Sequence, residues 1–120
     1  MKRILIADDK ATSRELVRIV LEKDGYAVAE AADGIEALHH AREWKPDLII
    51  LDLHMPGLDG FGVIREIRRD EQLAALPVMA LTASAMQGDR ERALAAGFTG
   101  YIAKPIPLKT LRKEVERLLQ

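Results

Sequence analysis

The feature that most limits what this chain can fold into is Leu48-Ile49-Ile50-Leu51-Asp52, four large apolar residues ending in a carboxylate. The run is too short to cross a membrane and contains no turn residue. It reads as a strand buried on both faces, as in a parallel sheet. Leu53-His54-Met55-Pro56-Gly57 follows and reads as a loop. Asp52 therefore sits where a buried strand reaches the surface at its C-terminal end. In open α/β sheets that edge is where ligands collect.

The same pattern, a short apolar run and then an amphipathic stretch, recurs about five times, which predicts a βαβ series. Ile4-Leu5-Ile6-Ala7 ends in Asp8-Asp9. A helix follows with Leu16, Val17, Val20 and Leu21 on one side and Arg14, Arg18 and Glu22 on others. Thr12-Ser13-Arg14-Glu15 fits a capping box at its start, and Asp24-Gly25 ends it. Tyr26-Ala27-Val28-Ala29 is a weaker run, suited to a sheet edge. Asp33-Gly34-Ile35-Glu36 opens a helix carrying Ile35, Leu38 and Ala41, which Trp44-Lys45-Pro46 closes. Asp59 caps a helix bearing Phe61, Val63, Ile64 and Ile67. Val78-Met79-Ala80-Leu81 ends in Thr82, and Ser84-Ala85-Met86-Gln87 caps a helix that reaches about Ala96 before Gly97. Gly100-Tyr101-Ile102-Ala103 ends in Lys104-Pro105. A last helix begins near Pro107 and turns Leu108, Leu111, Val115 and Leu118 inward.

The chain has 120 residues, enough for one domain with a core, and it reads as a single unit over 1–120. A net charge of -1 leaves no overall basic footprint, so direct nucleic-acid binding is not expected. Cys is absent, which excludes disulfides, thiol chemistry and a Cys-type zinc site. No stretch approaches the roughly 20 apolar residues of a membrane helix, and the N-terminal run is too short for a signal peptide. A cytoplasmic protein without membrane attachment is the expectation.

Asp8 and Asp9, Asp52, Thr82 and Lys104 each follow an apolar run. Parallel strands share a direction, so all of them fall at one edge of the sheet. Clustered carboxylates repel one another, and a hard divalent cation such as Mg²⁺ keeps them ionised. A carboxylate beside that cation, an ammonium and a hydroxyl is equipped to act as a nucleophile on a phosphoryl group. Taken singly, each residue is better explained as a turn, cap or solvated side chain. The conjunction at one edge is what carries the signal.

On Asp8-Asp9, Asp52, Met55-Pro56-Gly57 with Asp59-Gly60, Thr82-Ala83, and Tyr101 three residues before Lys104-Pro105, the chain resembles a response-regulator receiver domain. That family is the chemotaxis-regulator-like phospho-acceptor of two-component signalling, and the likeness covers essentially all 120 residues. Asp52 lies 43 residues after Asp9, Thr82 a further 30 and Lys104 a further 22. Right-handed crossovers leave the strand order 2-1-3-4-5 available, and the resemblance selects it: a flavodoxin-like five-stranded parallel sheet with five helices.

The resemblance implies that Asp52 takes a phosphoryl group from a sensor histidine kinase or phosphotransfer protein. It implies that Asp9 and Asp52 bind Mg²⁺ through side chains and Asp8 through water, with His54 giving only its backbone carbonyl. Lys104 would pair with the phosphoryl group, and its bond to Pro105 would be cis. Thr82 and Tyr101 would act as the switch, and the helix after Thr82, strand five and the last helix as the output face. Partners would be an effector protein or tethered output domain, with dimerisation also open to that face. Such a domain is no enzyme beyond its own phosphotransfer and slow self-dephosphorylation. His54 lines the mouth of the site, where it is expected to tune the attack of water. His39 and His40 are expected at the surface.

Three rivals remain. A haloacid-dehalogenase-type phosphohydrolase wants a second acid two residues after its nucleophile, where this chain has His54. A flavodoxin-like nucleotide module wants a phosphate cradle after strand one, where Asp8-Asp9 would repel phosphate. A receiver-shaped interaction module that is never phosphorylated generally lacks some of the acceptor, metal or lysine positions, all of which are present here. Whether the chain is a stand-alone regulator or a receiver from a longer protein is left open.

Overall fold

The computed structural model describes residues 1–83 and 88–120. In chain order the elements are β1 (Arg3–Ala7), α1 (Ala11–Lys23), β2 (Ala27–Ala31), α2 (Gly34–Trp44), β3 (Leu48–Asp52), α3 (Gly60–Arg69), β4 (Val78–Thr82), α4 (Asp89–Ala96), β5 (Gly100–Ala103) and α5 (Leu108–Leu118). Among the described residues the strands form one sheet, order β2-β1-β3-β4-β5, with every pairing parallel. This is the flavodoxin-like order that the resemblance selects.

Strand period and burial explain the layers. Leu48 to Leu51 are wholly inaccessible to solvent, as a central strand covered on both faces requires. Alternate residues serve opposite faces. Ile4, Ile6, Leu48, Ile50, Met79, Leu81 and Ile102 pack with Val17 and Leu21 of α1 and Leu111 and Val115 of α5. Leu5, Ala7, Ile49, Leu51, Val78 and Ala80 face α2, α3 and α4. Two helices thus cover one face and three the other. All five strands end at the same edge.

Several helix ends follow the sequence. The Asp33 carboxylate accepts from Glu36 N at 2.8 Å, and Asp59 accepts from Gly62 N at 2.9 Å. Gly97 closes α4 at φ 113°, a left-handed conformation that suits glycine. Lys45 ends α2 at φ 54° just before Pro46. Arg68 then locks the lower end of α3 to its neighbours. Its guanidinium donates to the carbonyls of Gly97, Ala74 and Leu76 at 2.7–3.1 Å. Burial holds its pKa below the ordinary arginine value.

Other details differ from the sequence reading. No capping box starts α1: Lys10 is the cap residue, it makes no side-chain cap bond, and Thr12 lies inside the first turn. The Asp8 carboxylate takes the Lys10 amide instead, at 2.9 Å, so the strand-end acid also organises the helix start. Strand β2 runs two residues later than expected, to Ala31, because its ladder matches Arg3 with Ala27 through to Ala7 with Ala31. Leu16, Ile35 and Leu108 are exposed rather than inward. Each lies outside the buried stripe of its helix: Val17, Val20 and Leu21 in α1, Gly34, Ala37, Leu38 and Ala41 in α2, Leu111 and Val115 in α5. One residue of displacement turns a side chain about 100° round the axis. Pro107 is the cap of α5 rather than a residue of its first turn. The cap expected at Ser84–Gln87 lies outside the described residues.

Candidate phospho-acceptor site

Asp52 is the last residue of β3, the middle strand, and Asp8 follows β1 directly. Both carboxylates are buried although they stand at the sheet edge. Burial is tolerable because each oxygen is matched. Asp8 Oδ1 accepts from Lys10 N and Oδ2 from Lys104 Nζ at 2.8 Å. Asp52 Oδ1 accepts from His54 N at 2.9 Å and Oδ2 from Lys104 Nζ at 3.1 Å. One ammonium therefore bridges two acids from different strands. It arrives from the residue after β5, whose amide donates to Thr82 O at 2.7 Å. The bond from Lys104 to Pro105 is cis.

The charges do not balance within the site. Asp8, Asp9 and Asp52 each offer a carboxylate oxygen, and these atoms lie within 4.8 Å of one another. Against three acids stands one ammonium. Burial is the largest influence on Asp52 and pushes its pKa up; the His54 amide and Lys104 oppose this, and the Asp8 charge adds to the rise. Lys104 is drawn down by burial, but its bond to Asp8 and the charge of Asp52 outweigh that, and its pKa ends raised. The asymmetry is physical: the lysine gains two carboxylates, whereas the two acids share one lysine. The donor set fits Mg²⁺. It is all carboxylate oxygen, excess negative charge remains, and Asp9 is exposed enough to give an entry side.

Thr82 is fully buried at the end of β4, one strand over from Asp52. Tyr101 sits within β5 beside Ala80, half-buried, and packs against the core on the α2–α3–α4 side. His54 is exposed, and the contact it makes to the site runs through its backbone amide. His39 is exposed, and His40, half-buried, lies 3.8 Å from Glu36 on α2, away from this edge.

Sequence reasoning missed two residues at the site. Arg14 Nη1 donates to the Asp8 backbone carbonyl at 2.7 Å, and Arg14 Nε donates to Glu30 at 3.2 Å. Helical periodicity placed Arg14 only on a polar face. The available signal was Glu30, a charge one residue before the end of a strand that neighbours β1 in the 2-1-3-4-5 order.

Comparison with known proteins decides the family. The response regulator receiver domain matches residues 4–116. This chain belongs to that family. Its members are receiver domains of two-component response regulators, which work in phosphorelay signalling and bind Mg²⁺ at an acidic site. The chain is 42% identical over 120 residues to the DNA-binding dual master transcriptional regulator RpaA of Synechocystis, covering the whole chain but 50% of that protein. It is 36% identical over 118 residues to the polar-differentiation response regulator DivK of Brucella anthropi, covering 98% of this chain and 96% of that one. Among solved structures, the receiver domain of sensor histidine kinase PA1611 from Pseudomonas aeruginosa superposes with a TM-score of 0.90 at 38% identity. The match covers 98% of this chain and 97% of that one, and that structure holds a magnesium ion coordinated in its active-site cleft. Among the described residues of this receiver no helix is long and apolar enough to cross a membrane.

Two tyrosines make a pH prediction. Burial raises the pKa of Tyr101, with Asp89 and Glu91 adding to it and Arg90 opposing. Burial, then Glu116 and Asp24, raise that of Tyr26. The folded chain holds both phenolic protons more tightly than the unfolded chain does. Stability should therefore fall as pH climbs past the ordinary tyrosine value of about 10. Phenolate absorbance should rise at a higher pH in buffer than in concentrated urea; coincident curves would contradict the burial argument.

Proposed function

We propose that this receiver accepts a phosphoryl group on Asp52 from a phosphohistidine of a sensor kinase or phosphotransfer protein. The observation that carries the reading is the Lys104 bridge, 2.8 Å to Asp8 and 3.1 Å to Asp52, at the C-terminal end of the middle strand. A carboxylate oxygen of Asp52 attacks phosphorus, the donor N–P bond breaks, and its electron pair returns to the imidazole nitrogen. The product is an acyl phosphate on Asp52. Asp8, Asp9, Asp52 and the His54 carbonyl would hold Mg²⁺, which supplies neutralisation of the charge on the transferred oxygens. Lys104 moves from Asp52 to the phosphoryl group while keeping Asp8, and so stays paired throughout. Burial of Asp52 keeps water from crowding the nucleophile.

The new charge then acts on the adjacent strand ends. Thr82 on β4 is the nearest strand-end hydroxyl, and Tyr101 on β5 lies beyond it, so the two form a chain toward α4, β5 and α5. Those elements make the face for an effector protein, a tethered output domain or a second copy. His54 sets water access to the acyl phosphate.

The test is intact mass after incubation with a small acyl phosphate, with and without Mg²⁺. One phosphate gained only with Mg²⁺ supports the reading. No uptake by protein shown to bind Mg²⁺ would favour a receiver-shaped interaction module. Donor turnover without a trapped adduct, once fast self-dephosphorylation is excluded, would favour a phosphohydrolase.

A further inference from the structure

We infer that Arg14 and Glu30 form a clamp that positions the Asp8–Asp9 acid pair for its cation, which makes Arg14 a positioning residue of the phospho-acceptor site. This rests on the Mg²⁺-binding reading above and extends it to two residues on a helix and an edge strand. The peptide joining Asp8 to Asp9 leaves β1 and lies outside the ladder of α1, whose first bond runs from Arg14 N to Lys10 O. The Asp8 carbonyl therefore has no helical partner, and Arg14 Nη1 supplies one at 2.7 Å. The same guanidinium reaches Glu30 Oε1 through Nε at 3.2 Å. Glu30 is held from its other oxygen by Arg18, whose Nε lies 2.9 Å away as an ion pair without an aligned N–H. Asp8 N donates to Ala31 O at 3.1 Å, so the end of β2 grips both sides of the Asp8 residue.

The arrangement matters because the direction of Asp9 follows the peptide that Arg14 holds. Both Asp8 carboxylate oxygens are engaged, with Lys10 and Lys104, whereas the Asp9 residue is exposed and its direction follows the peptide before it. The start of α1 is held by the Asp8 carboxylate on the Lys10 amide rather than by the cap residue's own side chain. The Arg14 side chain is only 17% exposed, so its bonds are shielded from competing water. A planar fork is the group that can hold a carbonyl and a carboxylate at once; a lysine offers one point charge.

The sign of the effect separates positioning from charge. Arg14 is a cation beside an acidic cluster, so on charge alone its removal would tighten Mg²⁺ binding. As a positioning residue its removal loosens binding. Calorimetric Mg²⁺ titration of the full chain is the measurement, on wild type, R14Q and R14K at fixed ionic strength. R14Q should raise the Kd roughly tenfold, the scale on which groups that orient metal ligands act. R14K should recover only part of that, and exchange of the Lys10 amide should quicken in both. An unchanged or tighter Kd for R14Q overturns the clamp. If R14Q does not fold, R14K carries the test, and wild-type affinity in R14K overturns it. Absence of Mg²⁺ binding by the wild type would instead remove the reading beneath it, so the two failures are distinct.

Discussion

Replacing Asp52 with Asn should reduce phosphoryl uptake to background. The amide has no anionic oxygen to attack phosphorus, and no neighbouring acid is placed to substitute. Asp8 is buried and has both oxygens engaged, one on the Lys10 amide and one on Lys104. Asp9 lies on the exposed side of the cluster, without the lysine contact that Asp52 has. The fold should survive, because Asn keeps the shape of the side chain and one oxygen to accept from the His54 amide. Intact mass after treatment with a small acyl phosphate and Mg²⁺ should therefore show one added phosphate on wild type and none on the variant. Matching circular dichroism would show that folding is not the cause. A full-occupancy adduct on the Asn variant would place the acceptor elsewhere. Mg²⁺ affinity should fall as well, since one of the three clustered carboxylates is gone.

The site was largely legible because its residues mark strand ends, and strand ends are what apolar runs announce most clearly. Leu48–Leu51 could be read as a doubly covered strand from four consecutive large side chains, and Asp52 was then placed by position alone. Asp8, Thr82 and Lys104 followed from the same logic applied to three other runs. What the spacing could not supply was which strands lie side by side; the family resemblance selected that order. The Lys104 bridge depends on it, because a lysine 96 positions from Asp8 has no local reason to meet it. Helix faces were less legible at their margins. Leu16, Ile35 and Leu108 are apolar and fit a generous stripe, yet the sheet contacts only a narrower one. Arg14 was missed for the opposite reason. Its partners are a backbone carbonyl and a glutamate on another strand, and neither leaves a trace in helical periodicity.

A large effect of a small change beside the acceptor strand is expected at Gly60, the first residue of α3. A methyl group there would meet the Asp52 carbonyl oxygen at 2.7 Å and Leu53 Cα at 2.8 Å. Both are backbone atoms of the strand end and its loop, so neither can swing aside as a flexible side chain would. Gly60 N also donates to Leu53 O at 3.1 Å, which fixes the helix start against the loop. Alanine is the better helix former by about 1 kcal/mol, which acts in the opposite direction. Overpacking against backbone costs about 2–3 kcal/mol and wins. Gly60→Ala should therefore lower the melting temperature by several degrees, and slow phosphoryl uptake because one of the crowded atoms is the Asp52 carbonyl oxygen. Gly57 gives a useful contrast. Its φ of 74° strains any side chain, but no atom lies within 4 Å of a methyl group there, so Gly57→Ala should cost only about 1 kcal/mol. Urea denaturation of both variants decides the matter. If Gly60→Ala is as stable as wild type, helix propensity has prevailed and α3 is not wedged beneath the acceptor. If it is the less stable of the two and also takes up phosphate more slowly, the close approach of α3 to β3 is what holds Asp52 in place.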